Sequence, residues 1–154
     1  MHTAYVALGS NLGDRKANLD EAVSCVAAAG IKVVKVSSWL ETEPYGVTDQ
    51  PMFMNGVMQV ATEKSPLELL RTLLAIELDM GRVRKRHWGE RNIDSDLLLY
   101  EDVVMMSKEL NLPHPDMQNR DFVLMPLAEI APDLVHPMLK KSIKQLLDEL
   151  TAKG

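Results

Sequence analysis

The chain is short and mildly acidic, with 154 residues, a net charge of −5 at pH 7 and a single cysteine, Cys25. That length suits one domain with a substantial core, so we expect residues 1–154 to form a single unit. The acidic balance argues against a nucleic-acid binder, and a lone cysteine excludes an internal disulfide. Because no apolar run approaches the roughly 18 residues of a membrane span, and no leader pattern opens the chain, we expect a cytoplasmic protein without membrane contacts.

The first predicted elements are a strand and a helix. Residues 4–9 form an apolar run that ends in a turn-rich segment, which predicts a strand. Asp14 can then cap a helix over residues 15–29, whose apolar positions recur at helical spacing. Gly30 is a typical residue for ending that helix.

Two further strands follow, separated by a long irregular segment. Residues 31–40 are rich in β-branched side chains and predict one strand, and residues 53–61 predict the next. The segment 41–51 between them contains two prolines and a glycine. Connections of that length in a compact domain are usually functional or mobile, so the segment is a candidate part of a binding site.

The clearest helix signal begins at Ser65. Ser65, Pro66 and Glu68 combine an N-cap, a proline at the first helical position and a capping-box acid. The apolar stripe that follows predicts a helix to Met80, ended by Gly81.

A strand over residues 93–100 completes a β-α-β-β-α-β order. This is the ferredoxin-like α+β plan, in which helices cover one face of a mainly antiparallel sheet. Residues beyond about 101 form a C-terminal extension, with a proline-rich turn at 113–115 and helical segments near 122–130 and 142–150.

Period-two alternation predicts which side chains share a face of the sheet. Phe53 and Asn55 share one face of the third strand, and Asp94 and Asp96 share one face of the fourth. Because the apolar faces should meet the helices, we expect these four side chains on the open face unless a β-bulge intervenes.

The two aspartates follow a basic loop, and this combination predicts phosphoryl transfer. On one strand face Asp94 and Asp96 lie about 6.5–7 Å apart, close enough to hold Mg²⁺ together with substrate phosphates. Residues 82–91 carry five Lys or Arg residues, and guanidinium groups grip phosphates bidentately. The alternative is a solvated strand face beside ordinary surface arginines, and the aspartate pair alone does not decide between the two.

The motifs together resemble the 6-hydroxymethyl-7,8-dihydropterin pyrophosphokinases, a family of folate biosynthesis. The matching pieces occur in family order from position 5 to about 137; they are residues 7–15 (ALGSNLGDR), 42–46 (TEPYG), 49–55 (DQPMFMN), Glu77, 81–84 (GRVR), 88–96 (WGERNIDSD), 113–115 (PHP) and 120–122 (RDF). The chain departs from the family pattern at Glu90, where the family has proline, and at Ser95, where it has an aliphatic residue. Glu90 adds negative charge to the basic loop, and Ser95 should face the helices and need a hydrogen-bond partner.

The resemblance implies transfer of the β,γ-diphosphate of ATP to the hydroxymethyl oxygen of the pterin, leaving AMP. It implies two Mg²⁺ ions on Asp94 and Asp96, and stabilisation of the transferring group by Arg82 and Arg91. The further ATP-binding residues that it implies are Glu77, Arg84, Lys85, Leu97, His114 and Arg120. The pterin-binding residues that it implies are Thr42, Pro44, Tyr45, Phe53, Asn55, Trp88 and Phe122. We expect a monomer whose partners are these small molecules.

Packing explanations remain open for several of these residues. Phe53 and Phe122 could be core residues, Glu77 could pair with an arginine, and His114 could be a turn histidine bonded to the backbone. The same order of elements also builds RNA-recognition and small regulatory domains, although two acids on the sheet face would repel a phosphate backbone.

Overall fold

A computed structural model describes residues 1–42, 52–80 and 93–153. The strands are β1 (His2–Ser10), β2 (Lys32–Val36), β3 (Leu40–Thr42), β4 (Phe53–Thr62), β5 (Asp94–Tyr100), β6 (Met105–Met106) and β7 (Asn111–Leu112). The helices are α1 (Arg15–Ala28), α2 (Pro66–Met80), α3 (Asp121–Ile130) and α4 (Ile143–Lys153), with a 3-10 turn at Met117–Asn119. Within these ranges, no helix combines the length and apolar character needed to cross a lipid bilayer.

The main sheet has the ferredoxin-like α+β topology that the order of elements predicts. Its strands lie in the order β2-β4-β1-β5, and β3 also pairs with β4. All of these pairings are antiparallel, with β1 in the middle between β4 and β5.

The predicted single strand over residues 31–40 is wrong, because the chain forms two strands there, β2 and β3. Ser37 lies between the two strands, and its hydroxyl accepts a hydrogen bond from the Val57 amide at 2.9 Å. The Trp39 ring lies so close to Gly56 that a Cβ on that glycine would be 2.3 Å from Trp39 Cε3. The tryptophan thus fills the space above a residue without a side chain, and the strand is interrupted at that point.

The predicted helix starts are confirmed. Asp14 Oδ1 accepts from the Ala17 amide at 3.1 Å. The Ser65 amide donates to Glu68 Oε1 at 3.0 Å, and the Glu68 amide donates to Ser65 Oγ at 3.3 Å, which is a complete capping box. Gly30, just after α1, has a φ of +86°, a conformation that glycine adopts without strain.

Helices pack on both faces of the sheet. As predicted, α1 and α2 cover one face through Leu19 and Leu69, which are fully buried. The other face was expected to be open, but helix α3 of the C-terminal extension covers part of it, packing Leu124 against Val57 and Leu98. The sheet is apolar on both sides in this part, so a second layer of helices is needed to bury it.

A β-bulge in β5 changes the predicted alternation after residue 97. Tyr5 pairs with Leu99 and Val6 with Leu97, which leaves Leu98 as the extra residue. Leu97 therefore faces α1 and α2, whereas Leu99 belongs to the cluster on the opposite face, although uninterrupted period-two alternation would place both on one face. Asp94 and Asp96 precede the bulge and keep their predicted face.

Candidate active site

The candidate site lies at the end of the second sheet face that no described helix covers, which we call the uncovered end. In the register of the strands, Gly9 of β1 lies between Asn55 of β4 and Asp94 of β5. The next row along the same face is Val57, Ala7 and Asp96. Since adjacent strands are about 4.8 Å apart, the amide of Asn55 and the carboxylate of Asp94 come from backbone positions about 10 Å apart.

Gly9 forms the floor between these side chains. A Cβ on Gly9 would lie 2.8 Å from Asn55 Oδ1 and 3.6 Å from Phe53 Cδ1. The missing side chain therefore makes room for the Asn55 amide, whereas a Cβ would only touch the Phe53 ring at an ordinary contact distance. Among the described residues, neither hydrophobic cluster includes Phe53, so its side chain is not part of the core that these residues form.

Asn55 is oriented by Thr42. Strand β3 pairs Thr42 with Phe53, and the Asn55 Nδ2 group donates to Thr42 Oγ1 at 2.6 Å. Three of the predicted pterin-binding residues are thus brought together, and each is partly buried. The hydrogen bond fixes the amide plane, so that the Asn55 Oδ1 acceptor faces the Gly9 floor.

Ser95 points to the opposite side of β5 from its two acidic neighbours. Its hydroxyl donates to Glu77 Oε2 of helix α2 at 3.0 Å, which supplies the hydrogen-bond partner that the sequence required. Burial, and then the charge of Asp94, raises the pKa of Glu77 to about 7. The charge of Asp96 raises the pKa of Glu77 further, and the hydrogen bond from Ser95 lowers it.

The donor set fits a hard divalent cation. Asp94 and Asp96 offer carboxylate oxygens on one face. Their negative charges raise the pKa of Glu77, and a bound cation would offset those charges. In the described ranges no three His, Cys, Asp or Glu side chains are grouped to hold a metal. Two carboxylates still suit Mg²⁺, which usually retains waters and takes further oxygens from substrate phosphates.

His114 is held beside this acidic pair by the bulge in β5. Its backbone amide donates to the carbonyl of Leu98, the bulge residue, at 2.9 Å. Its Nδ1 accepts from the Asp116 amide at 3.3 Å, so the proton of the neutral ring lies on Nε2. Burial lowers the pKa of His114, although the charge of Asp96 acts in the opposite direction. The histidine is therefore both bonded to the backbone and able to donate from Nε2.

Arg120 and Phe122 lie at the start of α3, on the covered side of the site. Arg120 Nε donates to Asp116 Oδ2 at 3.3 Å, and its guanidinium carbon lies 5.8 Å from the centre of the Phe122 ring. Phe122 is partly buried against the cluster beneath α3, so part of its side chain packs in the core, as the alternative interpretation expects. Leu97 is 3% exposed and belongs to the cluster that faces α1 and α2.

Several predicted site residues lie outside the described ranges, and their roles stay predictions; these are Pro44, Tyr45, Arg82, Arg84, Lys85, Trp88 and Arg91. The same holds for Glu90, one of the two departures from the family pattern, and for Gly81, the predicted end of α2.

Arg15 has a position that no sequence-based prediction assigned to it. Its guanidinium donates to the carbonyl of Met52 at 2.8 Å and to Glu41 Oε2 at 3.2 Å. Arg15 thereby joins the start of α1 to both flanks of segment 43–51. The sequence places Arg15 directly after the N-cap Asp14 and in the family motif of residues 7–15, but it names no partner, because Glu41 and Met52 are distant along the chain.

A family model described as "7,8-dihydro-6-hydroxymethylpterin-pyrophosphokinase (HPPK)" matches residues 5–132. The chain belongs to this family. It is 46% identical over 155 residues to the 2-amino-4-hydroxy-6-hydroxymethyldihydropteridine pyrophosphokinase of Methylorubrum extorquens, covering 100% of this chain and 97% of that one. The HPPK match includes every described residue predicted for the site.

Some relatives of this HPPK-family chain are much longer. The folic acid synthesis protein fol1 of Schizosaccharomyces pombe is 44% identical over 152 residues, which cover 98% of this chain but 21% of that protein. The solved HPPK-DHPS of Plasmodium falciparum with pteroate superposes with a TM-score of 0.80 at 15% identity, covering 99% of this chain and 45% of that one. At that identity the likeness shows the fold alone.

Proposed function

We propose that this chain transfers the diphosphate of ATP to the hydroxymethyl group of 6-hydroxymethyl-7,8-dihydropterin, in folate biosynthesis. The hydroxymethyl oxygen forms a bond to the β-phosphorus, the bond from that phosphorus to the α-phosphate oxygen breaks, AMP leaves, and the hydroxyl proton is released. Membership of the HPPK family supports this reaction. The structural observation that carries it is the row of Asn55, Gly9 and Asp94, which puts an amide and a carboxylate on one uncovered face.

We assign the pterin to the Asn55 end of that row. A pterin is a flat, neutral ring system with donors and acceptors along its edge, and it needs aromatic faces and an amide to read that edge. Phe53 and Asn55 offer both beside the Gly9 floor, where a Cβ would lie only 2.8 Å from the Asn55 amide oxygen. Thr42 holds the amide in place, and Phe122, Pro44, Tyr45 and Trp88 complete the pocket in this proposal.

We assign the phosphates of ATP to the acidic end of the row. Asp94 and Asp96 would hold two Mg²⁺ ions, which when bound offset phosphate charge and increase the acidity of a coordinated hydroxyl. The ring of His114 presents its Nε2 proton near Asp96, where it can donate to a phosphate oxygen. Arg120 contributes positive charge on the same side; in the proposal Glu77, Leu97, Arg82, Arg84, Lys85 and Arg91 complete the nucleotide site.

The remaining parts of the proposal rest on the sequence. They are a single domain over residues 1–154, a monomeric state and a cytoplasmic location. Size-exclusion chromatography with light scattering tests the second, with one mass near 17.2 kDa expected and a multiple of it contradicting the proposal.

The activity is tested by AMP release from ATP when hydroxymethyl-dihydropterin and Mg²⁺ are added. We expect release that depends on all three additions, and a loss of roughly 10²–10³-fold in Asp96→Asn, the range seen when one transition-state partner is removed. Asp102→Asn is the matched control, because Asp102 is an exposed acid just beyond the same strand. Absence of AMP at high concentrations of folded protein, or full activity in Asp96→Asn, would contradict the proposal.

A further inference from the structure

Asp116 has no role in the site described above, yet it bonds two residues that do. It lies between the 113–115 turn and helix α3. Its backbone amide donates to His114 Nδ1 at 3.3 Å, and its carboxylate Oδ2 accepts from Arg120 Nε at 3.3 Å. His114 and Arg120 both belong to the nucleotide side of the proposed site. A single residue therefore contacts two groups on that side, through two different atoms.

The 3-10 turn at Met117–Asn119 fixes the position of Asp116. Met117 is fully buried, and the Asn119 amide donates to the Asp116 carbonyl at 3.1 Å. The second carboxylate oxygen of Asp116, Oδ1, accepts from Asn119 Nδ2 at 3.0 Å. This bond from Asn119 is the main reason that the pKa of Asp116 is lowered, so its carboxylate is ionised at pH 7. Each carboxylate oxygen thus has a donor, which holds the carboxylate in one orientation.

The Asp116 carboxylate restrains a long side chain. The Arg120 side chain is 24% exposed, and its guanidinium carbon lies 5.8 Å from the centre of the Phe122 ring. The bond to Asp116 and the contact with this ring together limit the positions that the guanidinium plane can take. Ordering a long side chain when a ligand binds lowers the affinity, so an arginine that is already ordered binds a phosphate more tightly.

His114, Arg120 and Asp96 lie in one region. Burial lowers the pKa of His114, the charge of Asp96 raises it, and the charge of Arg120 lowers it. Such effects fall off within roughly 10 Å at ordinary ionic strength, so both charges lie near the ring. Because His114 Nδ1 accepts from the Asp116 amide, Nε2 carries the proton of the neutral ring and is the atom that can donate to a phosphate.

The charge of Asp116 alone would oppose nucleotide binding. An ionised acid beside a phosphate site repels the phosphates, so its removal would strengthen binding if only charge mattered. The opposite result is expected if the carboxylate acts by orienting Arg120. The sign of the change in affinity therefore separates the two roles.

We propose that Asp116 is a positioning residue for the phosphates of ATP. Its amide orients the His114 ring and its carboxylate orients the Arg120 guanidinium before the nucleotide binds. The inference rests on the proposed function, because the ligand of these two groups is the nucleotide assigned there. Asp116 itself acts through its two neighbours and does not contact the substrate.

The test is calorimetric titration of the protein with a non-hydrolysable ATP analogue in the presence of Mg²⁺. Asp116→Ala should weaken binding about fivefold, the effect of one net hydrogen bond. Asp116→Asn keeps an oxygen acceptor for Arg120 Nε and should bind within about twofold of the wild type. Glu149→Ala is the matched control and should bind as the wild type does, because Glu149 is exposed to a similar extent and also forms an ion pair, but lies on α4. Binding by Asp116→Ala that equals or exceeds that of the wild type would overturn the proposal.

A double-mutant cycle separates positioning from a general loss of structure. If Asp116 acts through Arg120, Asp116→Ala should cause no further loss of affinity in a chain that already carries Arg120→Ala. Urea unfolding of each variant shows that it is folded. Full additivity of the two losses would be evidence against positioning and would also overturn the proposal.

The role of the Asp116 amide and the proposed function are tested in the same samples. NMR of the ring nitrogens of His114 should show the proton on Nε2, and a proton on Nδ1 would refute the part of the proposal that concerns this ring. Wild-type protein that binds the analogue, with no loss in Asp116→Ala, contradicts this inference alone. Wild-type protein that does not bind the analogue contradicts the proposed function and the inference with it.

Discussion

The two ends of the second sheet face are built from the same three strands, yet they differ in what covers them. At one end, Val57 and Leu98 are buried beneath Leu124 of α3. At the other end, Asn55 and Asp94 flank Gly9 and are only partly buried. The covered end holds the sheet to the C-terminal extension, and the uncovered end presents polar groups to a ligand. The C-terminal extension thus buries one end of this sheet face, and among the described residues it leaves the other end to a ligand.

The largest expected effect is on the covered end. Leu124→Ala should lower the free energy of unfolding by about 2–5 kcal/mol, because it leaves a cavity where a fully buried leucine packed. Urea unfolding measures this loss. The dissociation constant of the pterin for the folded variant should change by less than about threefold, since Leu124 packs in the cluster with Val57 and Leu98 at the covered end. A large loss of pterin affinity in a folded variant would show that the two ends are not separate.

A second effect concerns the acidic side of the uncovered end. Glu77 has a pKa of about 7 in the folded protein against an ordinary 4.5, so folding favours its protonated form. In metal-free buffer the protonated Glu77 carboxyl therefore contributes to the free energy of unfolding. This contribution, on the order of 2 kcal/mol, is fully present below pH about 4.5 and is lost as the pH rises to about 7. Urea unfolding as a function of pH should show this fall, and Glu77→Gln should reduce it.

Ser95→Ala sharpens the same test. The hydrogen bond from Ser95 lowers the pKa of Glu77. Removing that bond should therefore move the loss of stability to higher pH, and should not abolish it. An unfolding free energy with the same pH profile in wild type, Glu77→Gln and Ser95→Ala would contradict the assignment of this carboxyl.

A third effect concerns the floor of the uncovered end. In Gly9→Ala the new methyl group would meet Asn55 Oδ1 at 2.8 Å, so the amide must rotate and weaken its bond to Thr42. We expect the pterin dissociation constant to rise about tenfold, with a change of less than about 1 kcal/mol in unfolding free energy. Isothermal titration with the pterin measures the first quantity. Unchanged affinity would remove Asn55 from the pterin site.

The smallest expected effect is at Arg15, which bonds both flanks of segment 43–51. Arg15→Ala should raise KM for the pterin a few-fold and lower the unfolding free energy by less than about 1 kcal/mol, as for other partly exposed ion pairs. Steady-state kinetics measure KM. Lys16→Ala is the control, because Lys16 bonds only an exposed acid on its own helix among the described residues, Asp20 at 2.8 Å. Equal effects in both variants would deny Arg15 a positioning role.

The parts of this fold that the sequence predicts depend on neighbours along the chain. The caps at Asp14 and Ser65 involve residues three positions away and are confirmed. The face shared by Asp94 and Asp96 follows from period two and survives because the bulge comes after them. The Ser95 hydroxyl has a hydrogen-bond partner, as expected. The sequence could not identify that partner as Glu77 on α2.

The parts that were missed depend on contacts between distant segments. The break between β2 and β3 requires Trp39 to lie over Gly56 of another strand. The carbonyl of the bulge residue Leu98 accepts a hydrogen bond from the amide of His114 in the C-terminal extension, and no local sequence pattern predicts that bond.

The central claim is that Asp94 and Asp96 hold the nucleotide through divalent cations. Its most direct test is calorimetric titration of the protein with a non-hydrolysable ATP analogue, with Mg²⁺ present and with Mg²⁺ removed by EDTA. We expect affinity to fall at least tenfold without Mg²⁺, and Asp96→Asn to lose most of this dependence while Asp102→Asn retains it. Equal affinity of the wild-type protein in both buffers would contradict the account.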